Sequence, residues 1–436
     1  MSVAPRKVSD AVFTFRDHGV DVVMLLTQEL LDAMEPSAWE QLRHALRLPG
    51  LDRVIVTPDV HTGYGVPIGF TAVSRSHLYP DTVGPDPACS VSLSRLENPG
   101  LDAWDKPALR AILDDLQQVL TVDVRRPERP PPPPIPFDEL WAVVRGRRRT
   151  QRTWVASSPT LDEVASTDEL DTFRSLLEEL ATAKRRQQLR TIGGGNHFVE
   201  VQVGDDGALY VMAHFGSRGL GAAGARWFER RIRDEIVHRD APAELGTGLL
   251  FVPADHPLGR QYDLFQRAML EYATFNHVAV QEAARQVLAD HLGVGPGRLM
   301  GHIPHNFVER RAGAFWQRKG ATPAYDNDSI PLLIPGSMAT TSYVLAPGPE
   351  AERWGASVPH GAGRVLSRGA AKKTLDQAEM DAVFEARGAM TNVRHVPLDE
   401  SSGAYKDVDE VIRAVVTSGV AVVVQRLRPV LVLKGG

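Results

Sequence analysis

Apolar residues recur at three- and four-residue intervals over 20–34 and 37–48, which predicts two helices near the start of the chain. Residues 51–57 are a short apolar run that reads as a buried strand ending before Pro58. From Asp59 to Ser90 the chain turns to glycine and proline, with short strand-like runs such as Gly69–Ser74. Such loop-and-strand ground is where active sites commonly sit. Leu101–Val122 has helical spacing at Leu109, Ile112, Leu116 and Leu120, and Leu170–Leu189 reads as a charged amphipathic helix. Between them, Arg125–Pro136 contains five consecutive prolines, which force an extended polyproline segment suited to a linker or surface crossing. Residues 100–185 therefore read as an inserted or peripheral, largely helical layer.

From Thr191 to Leu220 strand-like runs alternate with glycine-rich loops. Tyr262–Leu292 predicts a long helix, with apolar spacing at Leu264, Ala268, Tyr272 and Phe275. Val408–Leu433 predicts a final helix and strand. No internal repeat is present. The alternation lacks a regular strand–helix–strand series, so the expected class is α+β, a mixed α/β body, in a single domain spanning 1–436.

Composition narrows the classes. Of 436 residues only one is cysteine, which excludes an internal disulfide, a four-cysteine zinc ribbon and an iron–sulfur cluster built from this chain alone. No apolar stretch approaches the ~20 residues of a membrane helix, and the first residues lack the apolar core of a secretory signal. The cytoplasm is the expected compartment, with no membrane partner. With 49 basic and 54 acidic residues the net charge is −5, so nucleic acid would have to be held by local basic patches. Candidates are Arg145–Arg149, Lys184–Arg186 and Arg230–Arg233.

The histidines carry the chemistry. Of 14, seven sit in ordinary helical or loop contexts: His18, His44, His77, His238, His256, His277 and His291. His302 and His395 are intermediate. Five sit in loops rich in glycine, proline or asparagine: His61 in PDVHTGYG, His197 in GGGNHFVE, His214 in HFGSRG, His305 in IPHN and His360 in PHGAGR. Glycine lets backbone approach a ligand closely, and imidazole binds metal or attacks phosphorus. Asp86 and Cys89 add oxygen and sulfur in VGPDPACS. That mixed donor set suits divalent transition metals, and a thiolate can bridge two of them. Walker A, dinucleotide, HExxH and GxSxG motifs are all absent.

Taken together, these blocks resemble the RtcB family of RNA ligases. The resemblance runs through PDVHTGYGVPIG (58–69), VGPDPAC (83–89), GGGNHFVEV (193–201), HFGSRGLG (214–221), PHN (304–306), PGSMATTSYV (335–344), PHGAGRVLSR (359–368), DESSGAYKDVDEV (399–411) and LKGG (433–436), in the family's order. It implies an RtcB-like fold, with sheets and helices around a central metal and nucleotide cleft. The implied activity is GTP-dependent joining of RNA ends, a 2′,3′-cyclic phosphate or 3′-phosphate to a 5′-hydroxyl, with two manganese ions. It implies Asp86, Cys89, His197, His214 and His305 as metal ligands, with Cys89 bridging, and His360 as the nucleophile that takes GMP.

The resemblance further implies catalytic roles for Asn196, Arg218 and Lys434, with Arg218 near the RNA phosphate. The implied GTP pocket comprises Asn196, His197, Phe198, Val199, Glu200, His305, Asn306, Pro335, Gly336, Ser337, Met338, Ser342, His360, Gly361, Ala362, Gly363, Tyr405 and Lys434. A monomer is expected, with room for an activating protein partner. The chain departs from the family at Ser90, where a glycine is usual, at Phe215, where a serine is common, and at Phe307, where a small residue is usual. The alternative reading is a metal-dependent phosphoesterase that opens cyclic phosphates without ligation.

Overall fold

The computed structural model describes residues 4–97, 106–120, 133–237, 248–326, 330–338 and 340–435. The start of the helix expected from Leu101, most of the polyproline run Arg125–Pro136, and His238 lie outside the described residues.

Two large, mostly antiparallel sheets carry the fold, which is α+β as expected. The first runs Arg6–Ser9, Val12–Asp17, Val20–Met24, Leu51–His61, Ile68–Ser74, Ala314–Lys319, Asn306–Arg311. The second runs Arg298–Pro304, Ser90–Leu96, Leu209–Phe215, Phe198–Gly204, Ala421–Lys434, Ser342–Pro347, Leu332–Ile334. Each sheet ends on one of two consecutive strands, Arg298–Pro304 and Asn306–Arg311, and the single residue between those strands is His305.

The early part of the chain departs from the helical reading. Val20–Met24 is a strand, and only Gln28–Asp32 of the 20–34 segment is helical, capped by Thr27. Val20, Val22 and Val23 are β-branched and buried while Asp21 is exposed, so packing in the sheet overrides the helical spacing. Pro36–Ala45 is a helix, as predicted. The strand expected to stop at Pro58 continues to His61. Proline is tolerated because the ladder to Ile68–Ser74 is irregular between Val56 and His61. The helix expected over 170–189 is Thr167–Leu180, opened by a Ser166–Glu169 capping box. It stops where Arg185 and Arg186 turn back to the carbonyls of Leu180 and Ala181.

The long helix begins earlier than its apolar spacing suggests, at Pro257, and runs to Leu292 with Gly293 in the left-handed conformation as its stop. Its buried surface is not wholly apolar. Asn276, His277 and Gln281 are each at most 1 % exposed. Asn276 Nδ2 donates to the Thr191 carbonyl (3.1 Å), and His277 Nε2 to the Phe215 carbonyl (3.0 Å). Gln281 Nε2 donates to the carbonyls of Ser92 (3.2 Å) and Val211 (3.1 Å). One helix thus holds three segments that lead into the histidine loops. Lys106–Val119 packs against this helix and contributes Leu109, Ile112, Leu113 and Leu116 to the apolar cluster behind the second sheet. Phe137–Val144 also packs against the long helix. No described helix is long and apolar enough to cross a membrane.

Arg318 is fully buried and ties the first sheet to the strand that leads to His360. Its guanidinium donates to Glu309 (2.9 and 3.1 Å) and to Ser357 Oγ (2.8 Å). Arg318→Ala leaves the largely buried Glu309 carboxylate with the Tyr325 hydroxyl but without its ion-pair partner, and is expected to cost about 3 kcal/mol. Arg413→Ala breaks an exposed pair with Glu29 and is expected to cost less than about 1 kcal/mol. Urea midpoints at constant m measure both; equal losses would contradict this assignment.

Candidate metal and nucleotide site

Asp86 and Cys89 lie on the tight turn entering Ser90–Leu96. Ala88, between them, is held at φ +62°, a conformation costly for a side chain bearing Cβ. The surroundings impose it. Ala88 N–H donates to the Asn306 carbonyl (2.7 Å), Ser90 Oγ to the Ala88 carbonyl (2.7 Å), and Ser217 Oγ to the Pro87 carbonyl. His305 N–H donates to the Cys89 carbonyl (2.9 Å). Ser90, one of the departures from the family pattern, is therefore part of the clamp.

Five side chains converge there. Cys89 Sγ is 3.3 Å from His214 Nε2 and 3.8 Å from His197 Nε2. His214 Nε2 is 3.3 Å from His305 Nε2, and His197 Nε2 is 3.0 Å from Asp86 Oδ2. The donors fall into two triads, Cys89–His214–His305 and Asp86–Cys89–His197, each with its atoms within 4.8 Å of one another. Cys89 belongs to both. Bonds of about 2.0–2.3 Å to one ion put neighbouring donors about 3–3.6 Å apart, close to most of these separations.

The electrostatics agree. Burial, reinforced by neighbouring histidines, pushes His214 and His305 well below the usual imidazole range, so both are neutral with lone pairs to offer. Burial and Asp86 push the Cys89 thiol well up, so the thiolate needs a bound cation. Burial alone would raise the Asp86 carboxyl, but His197 and Arg218 hold it below its ordinary value. His197 Nδ1 lies between the Ile192 carbonyl (3.1 Å) and Arg218 Nη1 (3.2 Å); the tautomer with Nδ1–H donating to the carbonyl leaves Nε2 free as a ligand. This donor chemistry fits a pair of divalent transition ions.

Arg218 opens the helix Arg218–Ile232 at φ +59°. Its Nε donates to Thr191 Oγ1 (3.2 Å), and its guanidinium lies where a Cβ on Gly193 would be, within 1.8–2.0 Å. Only glycine at 193 admits it. Phe215 is fully buried, stacked on His277 at 3.7 Å between ring centroids. Phe307 is likewise buried, edge-on to Trp154 at 5.6 Å. Both departures from the family pattern thus fill the core behind the ligands.

His360 borders this centre, with its ring centroid 5.0 Å from that of His305. Its Nδ1 lies 2.6 Å from Asp59 Oδ2 and 3.0 Å from the Gly320 carbonyl, and its backbone N–H also reaches Asp59 Oδ2 (3.2 Å). Asp59 is fully buried and accepts a further bond from Thr57 Oγ1. Burial would raise its carboxyl, yet the contacts with His360 and Thr57 bring it below the usual range. With Nδ1 facing Asp59 and the Gly320 carbonyl, both acceptors, Nε2 is the ring nitrogen left to face the cavity chemistry. Asn306 couples the two halves of the site: its Nδ2 donates to the Asp86 carbonyl (3.3 Å) and its Oδ1 accepts from Gly320 N–H (2.7 Å).

His360 lines a cavity with Asn196, Phe198, Glu200, Pro335, Gly336, Ser337, Met338, Gly361, Ala362, Gly363, Tyr405 and Lys434, all anticipated for the nucleotide. His214 also reaches this wall. His61, Ile68, Arg364, Arg368 and Glu400 complete it. Of the other residues anticipated there, Val199 points into the apolar cluster behind the sheet. Ser342 lies behind the wall, where its Oγ accepts from Gly336 N–H (3.1 Å) and Gln202 Nε2 (3.0 Å). His197, His305 and Asn306 belong to the metal side. Tyr405 hydroxyl donates to Glu400 Oε2 (2.9 Å), and Lys434 Nζ lies 3.5 Å from the same oxygen.

Sequence reasoning passed over Asp59, although it sits in the quoted PDVH block, and Glu400, which sits in DESSGAYKDVDEV. It also set aside His277, whose helical context gave no signal. The basic clusters are largely engaged internally. Arg145 and Arg147 pair with Asp162, Arg149 with Glu271 and Arg231 with Glu235, while Arg185 and Arg186 hold carbonyls.

Glu200 is 3 % exposed, and burial pushes its carboxyl from 4.5 up to about 8 against the pull of Gln202 and Lys434. The folded chain therefore keeps a proton that the unfolded chain releases. Between pH 4.5 and 8 the wild type is expected to lose stability relative to Glu200→Gln, by at most about 1.4 kcal/mol per pH unit. Below that window the two should run parallel. Urea denaturation across pH measures the difference; parallel curves throughout would contradict it.

Residues 41–435 match the RtcB family, described as tRNA-splicing ligase RtcB. The chain is 30% identical to the tRNA-splicing ligase RtcB of Archaeoglobus fulgidus, over 95% of both chains. It is 32% identical to the RNA-splicing ligase RtcB of Mycobacterium tuberculosis, over 91% of this chain and 100% of the relative. It is 28% identical to the tRNA-splicing ligase RtcB of Nanoarchaeum equitans over the full length of both. A match that runs from the second helix to the last strand takes in both ligand triads and the His360 cavity, and the chain belongs to the RtcB tRNA-splicing ligase family.

Proposed function

We propose that this chain is an RNA ligase that joins a 2′,3′-cyclic phosphate or 3′-phosphate end to a 5′-hydroxyl end at the expense of GTP. The observation that carries the reading is one cysteine shared by two ligand triads, beside a histidine whose Nδ1 is held by a buried aspartate. Asp86, Cys89, His197, His214 and His305 would hold two manganese ions. Bound there, the ions would offset the charge of adjacent phosphates and lower the pKa of an attacking water or hydroxyl.

A 3′-phosphate has no good leaving group, so a hydroxyl cannot displace anything useful from it. His360 Nε2 attacks the α-phosphorus of GTP; the N–P bond forms and pyrophosphate leaves. Asp59 keeps the proton on Nδ1 and stabilises the charge that develops on the ring. An oxygen of the RNA 3′-phosphate then takes the GMP, which breaks the N–P bond and gives an RNA 3′-guanylate. Attack by the 5′-hydroxyl on the RNA phosphorus forms the new diester and expels GMP, with the hydroxyl proton released. A cyclic phosphate is first opened by water at the same centre. Asn196, Arg218 and Lys434 are assigned to holding the phosphoryl groups in line, Arg218 on the RNA side. The remaining cavity residues are assigned to GTP, in a single domain with 100–185 as its outer layer. A monomer in the cytoplasm would suffice for this chemistry, with room for an activating protein partner.

Incubation with α-labelled GTP and Mn²⁺ tests the reading. Wild type should take up label, and His360→Ala none. Asp59→Asn should label at least about tenfold more slowly, as loss of an orienting partner does. Cys89→Ala should keep its fold, read by circular dichroism, and form no adduct. Equal labelling of wild type and His360→Ala would refute the nucleophile. Opening of cyclic phosphate without joined product would favour the phosphoesterase reading instead.

A further inference from the structure

Tyr64 is 62 % exposed, and every other large apolar side chain that is exposed among the described residues is a valine. An aromatic ring left open to water on a folded surface invites a partner with a flat face. The loop that carries it is rigidly held. Gln41 Nε2 donates to the Gly63 carbonyl (2.6 Å) and Gly63 N–H donates back to Gln41 Oε1 (2.9 Å). Thr62 N–H donates to Glu35 Oε2 (3.1 Å), and Val66 N–H to the Tyr64 carbonyl (2.9 Å). The buried Lys319 ammonium reaches the carbonyls of Tyr64 and Val66. Gly65 adopts φ +73°, and a Cβ there would collide with Asp81 at 2.6 Å, so the turn is specific to glycine. The backbone is fixed while the ring is free.

The loop also sits in a telling place. Its two base residues, His61 and Ile68, face each other across the strand pair Leu51–His61 and Ile68–Ser74. Both line the cavity that holds His360. A Cβ placed on Gly320 would lie 2.4 Å from Ile68 Cγ2 and 2.9 Å from His360 Cε1, so Ile68 and His360 flank the same glycine. Tyr64 is three positions beyond His61, which limits the backbone distance from the cavity wall to about 10–11 Å. That is about three stacked nucleotides of one strand.

We propose that Tyr64 is a stacking platform for a nucleobase within the first few nucleotides of the RNA end presented to His360. The inference rests on the RNA-ligase reading and adds to it a specific contact. Stacking on a ring held by a rigid loop loses little conformational freedom on binding and tolerates any base, because every base has a π-face. It would position the strand without selecting its sequence.

The test uses the full chain and a ten-nucleotide single-stranded RNA with a 3′-phosphate, without GTP, followed by fluorescence anisotropy. Tyr64→Ala should weaken binding about 5- to 140-fold, the measured range for loss of one stacked base. Tyr64→Phe and Tyr64→Trp should stay within about twofold of wild type, since either ring can stack. An RNA with abasic sites at its last three nucleotides should bind wild type and Tyr64→Ala alike. Tyr64→Ala binding as wild type does, or Tyr64→Phe falling as far as Tyr64→Ala, would overturn the proposal. Labelling of wild-type His360 by GTP reports separately on the underlying function. A chain that labels but binds RNA equally with and without the ring refutes the stacking contact alone; one that neither labels nor binds refutes both.

Discussion

Two backbone hydrogen bonds support the whole site: His305 N–H to the Cys89 carbonyl and Ala88 N–H to the Asn306 carbonyl. They fasten the turn carrying Asp86 and Cys89 to His305, at which the two sheets join, and to Asn306 beside it. Without them the oxygen and sulfur donors would have no fixed relation to the imidazoles on the neighbouring strands. The same junction extends to His360 through Asn306 and Gly320. Metal-side and nucleotide-side geometry are thus set by one strand connection. The cost is local strain at Ala88, tolerated because partners on three sides over-determine the turn.

Burial does the electrostatic work. It holds His214 and His305 neutral and keeps the Cys89 proton in place until a cation displaces it. Metal binding in such a site is coupled to proton release, so affinity should depend on pH through the thiol. On the other side of the junction, Asp59 remains ionised despite complete burial because His360 and Thr57 donate to it. The two histidines at 5.0 Å centroid separation therefore serve opposite ends. In the proposed reaction the first, stripped of charge, would serve as a ligand, and the second, braced by Asp59, would carry charge when it forms a bond.

Much of this was legible in the sequence, for a physical reason. A side chain that reaches a phosphate or metal from a loop needs backbone that can turn tightly and approach closely, and glycine and proline record that need. Asp86, Cys89 and the loop histidines stand out accordingly, and the ordered blocks around them carry the family. What was not legible depends on packing. Val20–Met24 has helical spacing yet is a strand, because its valines fill a sheet interior. His277 and Gln281 look like ordinary helix residues, but the fold aims them at carbonyls beneath the ligand strands. The arginine clusters suggested a nucleic-acid surface, yet most of those guanidinium groups close internal contacts. Tyr64 lies within the PDVHTGYGVPIG block, and only its exposure distinguishes it from a buried aromatic.

Everything proposed for the site turns on Cys89 being shared by two metal ions. Electron paramagnetic resonance on the metal-free chain reloaded with Mn²⁺ tests it directly. Two ions per chain with an exchange-coupled spectrum are expected, with loss of that coupling in Cys89→Ser. A single tight ion, or two ions with the uncoupled spectrum of isolated Mn²⁺, would contradict it.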